Sequence, residues 1–298
     1  MNVVEKAIQA IDRWQRRHKG PAFAYAVLKK YDDDQTGYLA ALVTYYGFIA
    51  LFPLLLVTTT VLGMIGFHHQ ELGRQLVNDV SKYFPVAGQS LDNSIRGFKQ
   101  TGPALIIGLL ITFYGARGVA DAFRYAVCHI WHVPKQDRSG FPRNLIRSFG
   151  IIVGGGGGFL LASALAGWAG AVGTGILFRS LSVLLNIAML YLVFMLVFTL
   201  SLPRRFKRAQ YRTGALISAV GLTALQLGGA ALFAHTAKGI TTGYSAIFAT
   251  TLIMLAWIYL QVRLVLYAVQ IDTVKDGNLY PRSLSGKHLT EADNKLKP

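Results

Sequence analysis

Arg117, Asp121 and Arg124 stand four and three residues apart inside an otherwise apolar run. At helical spacing they share one face with Tyr114 and Cys128. Such a set can line a polar pathway or close a structural ion pair. A charge at a bilayer centre costs about 2.5–3.5 kcal/mol on insertion scales, so it should face a bundle interior and be paired. The spacing predicts an Arg117–Asp121 pair, with Arg124 able to reach lipid headgroups. Asp121 is the only acid expected inside a span. Arg263 is the second expensive residue, with three options: pairing with Asp121 across helices, meeting a lipid phosphate, or snorkelling. Asn186, Gln226, Gln261 and Gln270 add hydrogen-bonding groups that, taken singly, glue helices together. The candidate polar intramembrane pathway is Arg117, Asp121, Arg124, Arg263, Gln226 and Gln270.

Signs of bond-making chemistry are poor. His129 and His132 have a possible metal spacing, but no third ligand accompanies them, and His68-His69 reads as a solvated loop pair. The chain has no nucleotide-binding loop, nucleophile elbow or His-Glu-x-x-His motif. The run Gly154 to Gly158 is not a phosphate cradle, because no strand precedes it and no Lys-Ser/Thr follows. With one cysteine, Cys128, neither a disulfide framework nor a cysteine zinc site can form. No catalytic residue, metal ligand or cofactor is expected.

Small residues do form a pattern. Gly150, Gly154, Gly158, Ala162, Ala166 and Gly170 recur at steps of four, which lays a smooth ridge along one helix face. Tight packing within the chain is the plainest use of it. A sliding surface, a hinge and a homodimer face are the other uses. Pro53 marks a kink or tilt in the first apolar stretch.

These residues need elements that place them in a membrane. Of 298 residues, 53% are hydrophobic and 15% charged, against about 25% charged in soluble proteins. Six stretches have the roughly 20 apolar residues a spanning helix needs: 38–66, 103–124, 148–172, 181–202, 213–235 and 246–271. The net charge of +16 suits either a nucleic-acid binder or a membrane protein with basic cytoplasmic loops. Distribution decides between them. Basic residues crowd the N-terminal tail, the loop 135–147, the run from Arg204 to Arg212 and the C-terminal tail, whereas two intervening connections carry only Arg179 and Lys238. The loop 67–102 has four basic residues, nearly neutralised by Glu71, Asp79 and Asp92. The alternation places both termini and the loops 135–147 and 203–212 in the cytoplasm. Basic residues thus follow topology instead of forming one nucleic-acid patch, and anionic headgroups are the expected partners of those loops.

The expected fold is therefore all-α: a six-helix transmembrane domain over 38–272 with an external segment 67–102. An amphipathic N-terminal segment 1–37 precedes it and a polar tail 273–298 follows. Val4, Ile8, Ile11 and Trp14 recur at helical spacing, so the first 37 residues read as two amphipathic helices that lie in the headgroup region. That stretch holds no apolar core of the length a cleavable signal requires. Asp32, Asp33 and Asp34 cap or precede the first span. The outer segment, with Leu72, Leu76, Val80 and Phe84, suggests a short amphipathic helix.

Three stretches carry a resemblance. The first is Ala40-Ala41-Leu42-Val43-Thr44-Tyr45-Tyr46 with Leu51-Phe52-Pro53-Leu54-Leu55. The second is Ala116-Arg117-Gly118-Val119 with Ile130-Trp131-His132-Val133-Pro134. The third runs from Leu202-Pro203-Arg204-Arg205 through Thr213-Gly214-Ala215 and Tyr244-Ser245-Ala246-Ile247 to Trp257-Ile258-Tyr259. In this order and spacing the chain resembles the YihY/virulence factor BrkB family of bacterial membrane proteins, over about residues 20–275. The resemblance implies a multi-pass protein of the bacterial inner membrane and an envelope-integrity role; some members carry an old ribonuclease label. The family closes its sixth span with a Gly-Ala-Glu-like element, where this chain reads Ala268-Val269-Gln270-Ile271-Asp272. Arg263 stands where the family has an apolar residue.

Two functions follow as expectations. One is a transporter or flippase of lipids or other anionic amphiphiles, using the intramembrane polar set. The other is a non-transporting envelope scaffold that holds a protein partner or a second copy. A ribonuclease is disfavoured, and no nucleic-acid partner is expected.

Overall fold

The computed structural model describes residues 3–50, 102–138, 140, 142–158, 161, 175–237, 244–284 and 289–295. Pro53, the external segment and the far end of the small-residue ridge lie outside them. The described residues are helical and contain no strand. Helix α1 spans Val3–Arg17, α2 Lys19–Asp33 and α3 Thr36–Ala50. Helix α4 spans Gly102–Ile130, and α5 spans Arg143–Ile151 and widens into a π-helical turn over Ile152–Gly156. Then come α6 (Ile176–Ser201), α7 (Arg208–Ala237), α8 (Tyr244–Asp276) and the single turn α9 (Glu291–Asn294).

Among the described residues, two helices are long and apolar enough to cross a membrane: α6, with mean hydropathy 2.5, and Thr251–Asp276 of α8, with 1.9. Only 17% of the most apolar stretch of α6 and 22% of that of α8 is buried inside the protein. The core helix of a soluble protein would be mostly covered. These helices instead leave Leu184, Leu192, Leu252 and Leu260 uncovered, as a lipid-facing surface requires. Helix α3 is apolar but shorter.

The chain divides into two compact units. One comprises Met1–Ala40, Phe123–Gly228 and Gln261–Pro298, and the other Ala41–Ala122 and Gly229–Leu260.

In the first unit, α1 and α2 form the expected amphipathic pair. Ala26 and Val27 of α2 pack with Val274 and Leu279, and Phe23 adds an edge contact to Tyr280. Ile11 and Trp14 of α1 and Leu28 of α2 stay more than half exposed. The segment after α8 folds back onto this pair. Asp293 accepts from the Lys29 ammonium at 3.1 Å, from Arg282 Nε at 3.0 Å and from the Ser283 backbone N–H at 2.9 Å. It also closes a capping box with Thr290 at the start of α9. Leu284 N–H donates to Asp12 at 3.0 Å, and Arg282 reaches Asp33 at 2.7 Å. Burial alone would push the Asp293 carboxyl up. The Ser283 and Thr290 N–H groups, the Thr290 hydroxyl and Lys29 outweigh burial and hold it well below the usual carboxylate range.

The described part of the small-residue ridge, Gly150, Gly154 and Gly158, packs against α6. Added methyl groups at Gly150, Gly154 and Gly158 would meet Leu200 at 3.0 Å, a Leu196 methyl at closer range, and Val193 at 2.5 Å, all on α6. Glycine there lets α5 and its π-turn approach α6 at backbone distance. Just past the π-turn, a methyl added at Gly157 would instead meet open space, with nothing within 4 Å.

Two outcomes are expected. Gly158→Ala should destabilise the protein by about 1–3 kcal/mol through overpacking against the stiff Val193. Gly157→Ala should be neutral or stabilising by about 0.5–1 kcal/mol. Unfolding in mixed micelles separates them, and equal effects would deny the ridge its packing role. Because the folded pKa of Asp293 lies below its unfolded value near 3.9, its contribution is complete above that pH and is lost as pH falls through the folded value. Protease cleavage of 279–295 should stay constant from neutral pH to about 5 and rise below about 4, whereas Asp293→Asn should expose the segment at every pH.

Candidate functional site

Among the polar residues of the apolar helices, an Arg–Asp pair and Arg263 are uncovered, Asn186 and Gln226 are half-buried, and Arg124, Gln270 and Asp272 are buried. The pair is the expected one. Arg117 Nε lies 3.4 Å from Asp121 Oδ2, half-way along α4, with 40% and 34% of the two side chains exposed. Leu110 and Tyr114, at 64% and 78%, continue the same stripe. Gly118 lies beneath the Tyr46 ring, whose nearest carbon would stand 2.7 Å from an added methyl. All belong to the second unit. There Tyr45, Phe48 and Tyr259 also line an apolar cavity of about 360 Å³.

Arg124 departs from expectation. It does not snorkel: it is 6% exposed. Its Nη1 donates to the Asn144 side chain, to the Asn144 carbonyl at 3.3 Å and to Ser148 Oγ at 3.3 Å. One turn on, Cys128 Sγ meets the Ser201 carbonyl at 3.3 Å. The face shared with Arg117 and Asp121 is therefore covered from Arg124 onward, so Arg124 is a strut between α4 and α5.

Arg263 stacks its guanidinium over Tyr31 and Tyr267, at 5.5 and 5.6 Å. Those two rings stack on each other at 3.9 Å. Aromatic faces are a ready seat for a weakly hydrated guanidinium. Gln226 joins Asn186 and Thr223 in a bridge between α6 and α7, with Asn186 Nδ2 at 3.3 and 3.4 Å from the two oxygens. Such bridges contribute about 0.6–2 kcal/mol.

Gln270 leads to a cluster that sequence reasoning missed. Its amide donates at 2.8 Å to Asp34 Oδ2 and at 2.8 Å to Thr36 Oγ1. Asp34 also receives the Lys30 ammonium at 2.5 Å and faces His132 Nε2 at 3.0 Å. Lys30 in turn donates to the Ile130 carbonyl at 2.9 Å. Gln270 and Thr36 are fully buried, Lys30 is 1% exposed and Asp34 7%. A single carboxylate thereby joins α2, the turn before α3, the end of α4 and α8. Burial lowers the Lys30 pKa, with Asp34 opposing the shift. Burial likewise lowers that of His132, helped by the Lys30 charge and opposed by Asp34. A sequence signal existed: Lys30 lies three residues after Val27 and one before Tyr31, on the apolar face of α2. Asp34 follows at i,i+4, so the acid run does more than precede a span.

Asp272, just past the expected sixth span 246–271, is a second acid held by the interior of the first unit. Asp272 is 1% exposed, and its Oδ1 accepts the Gly214 N–H at 2.8 Å. Oδ2 has no hydrogen-bond partner among the described residues. An added methyl at Gly214 would stand 2.7 Å from the Ala268 carbonyl and collide with this carboxylate.

The basic loops meet. Arg205 pairs with Asp137 at 2.6 Å, Phe206 packs edge-on against Trp131 at 5.0 Å, and Arg147 donates to the Leu202 carbonyl at 3.4 Å. Segments read as separate topological signals thus build one cationic surface. Among the described residues no group of three His, Cys, Asp or Glu is placed to hold a metal ion.

Removing one partner of a buried ion pair costs about 3–5 kcal/mol, whereas replacing both by apolar residues is often close to neutral. Asp34→Ala should therefore lower stability by about 3–5 kcal/mol, and Lys30→Met with Asp34→Leu by much less. A double-mutant cycle read by unfolding in micelles checks this, and additive losses would dismiss the pair as the organising contact.

The sequence model of the family described as virulence factor BrkB matches residues 27–289. No curated protein and no solved structure matches the chain.

Proposed function

The chain belongs to the virulence factor BrkB family, and from that premise we propose that it is a multi-pass inner-membrane protein of the envelope that moves lipids or other anionic amphiphiles across the bilayer. In this reading six spans cross the membrane, and both termini and the loops 135–147 and 203–212 lie in the cytoplasm. One observation carries the transport reading: the Arg117–Asp121 pair sits mid-helix and is a third or more exposed. Charges that serve only as glue are enclosed by neighbouring helices, as Lys30 and Asp34 are. A pair left open at membrane depth needs water or a polar headgroup beside it. An anionic headgroup could exchange with Asp121 for the Arg117 guanidinium, while Tyr114 and Leu110 offer apolar surface to its chains.

An envelope scaffold is the second reading, supported by the exposed Ile11 and Trp14 on α1, an apolar edge available to a partner. Neither reading makes the chain an enzyme.

Reconstituted protein should speed exchange of labelled anionic lipid between leaflets. Asp121→Asn should cut that rate by about tenfold or more, the worth of one charge-assisted contact, without loss of folded protein. No exchange by folded wild type would favour the scaffold, and metal-dependent cleavage of RNA would overturn both readings.

A further inference from the structure

A cavity of about 280 Å³ opens where the apolar helix α6 ends. It is lined by apolar Leu202, Pro203 and Phe206, by Thr199 and Tyr211, and by Arg204 and Arg208. The Thr199 and Tyr211 hydroxyls bond each other at 2.9 Å, and Thr199 also donates to the Met195 carbonyl at 2.6 Å. Arg205, between the two lining arginines, is neutralised by Asp137. Arg204 and Arg208 are exposed and have no acidic partner among the described residues. Arg143 and Arg204 both lie close enough to Arg147 to disfavour its charge, though burial does so more. Several guanidinium groups therefore converge here, with Asp137 the one acid paired with them among the described residues.

We propose that this cavity binds the phosphate headgroup of an anionic lipid. Arginine presents a planar fork of donors that matches phosphate oxygens, and two forks without acid partners leave that capacity unused. The apolar walls argue for a lipid over free phosphate, which has nothing to bury against Leu202 and Phe206. Leu192 and Leu196 are exposed on α6, seven and three residues before Thr199. That stripe offers an acyl chain a path along the helix from the cavity. The inference does not depend on transport, because a headgroup can occupy the cavity without changing leaflets.

The test uses the purified full-length chain in neutral-detergent micelles, with dioctanoyl phosphatidic acid as probe and the thermal midpoint as readout. A saturable upward shift is expected, absent with dioctanoyl phosphatidylcholine. Arg204→Gln with Arg208→Gln should weaken the apparent affinity about ten- to a hundredfold. Lys19→Gln with Lys295→Gln removes the same charge elsewhere and should leave the affinity unchanged. Undiminished binding in the arginine variant, or equal loss in the lysine variant, would overturn the site. Inorganic phosphate giving the same shift at the same concentration would overturn the lipid assignment, and displacement of the probe by single-stranded RNA would reassign the surface to nucleic acid. The variants remove exposed, unpaired groups, so monodisperse elution is expected of both.

Discussion

A buried carboxylate must be surrounded by hydrogen-bonding groups, and Asp34 meets that demand with groups from three parts of the chain. Lys30 comes from its own helix, Gln270 from α8, and His132 from the turn after α4, while Thr36 joins through the Gln270 amide. Each ion costs several kcal/mol to dehydrate, and the pair repays that only in good geometry with its remaining hydrogen bonds made. The angle at which α2 meets α8 is therefore tightly restricted. Tyr31, one residue past Lys30, is in turn held over Tyr267, and Arg263 caps the stack. The amphipathic N-terminal pair is thus tied to the end of the long apolar helix α8 through a polar contact. A greasy contact there would be free to slide.

The Gln270 position gains meaning from this arrangement. A carboxylate in its place would set two acids against one ammonium. An amide instead donates to Asp34 and Thr36 while its own oxygen accepts from Thr273 at 3.4 Å. Asp272, two residues on, carries the nearby acid and takes a backbone N–H from Gly214. Gln270 is thus matched to each of the neighbours it touches.

How much of this could be read in advance depends on sequence distance. The helices follow from apolar periodicity, the ridge from steps of four and the Arg117–Asp121 pair from an i,i+4 spacing, all local relations. Lys30 with Asp34 is just as local, yet it read as surface charge because a basic residue near a membrane is expected to face headgroups. Its burial depends on Gln270 and Ile130, more than a hundred residues away or nearly so. The same limit hid the seat of Arg124 beside Asn144 and the meeting of the two basic loops. Whether a charged group is exposed is a tertiary fact, and hydropathy alone assigns it the wrong side whenever a distant donor or acceptor is waiting.

Charge type carries information that charge sign does not. The positive-inside rule counts lysine and arginine alike, so orientation alone gives no reason to prefer either. The loops 135–147 and 203–212 nevertheless hold seven arginines and two lysines, whereas the segments 1–37 and 273–298 hold four arginines and eight lysines. In the loops the guanidinium groups are used for their shape: Arg138 lies over Tyr125, Arg147 holds the Leu202 carbonyl, and Arg205 reaches Asp137. Arginine's flat, weakly hydrated head permits stacking and forked contacts that an ammonium cannot reproduce. A surface selected only to stay on one side of a membrane would show no such bias, so the composition of these loops follows from what they hold as well as from where they lie.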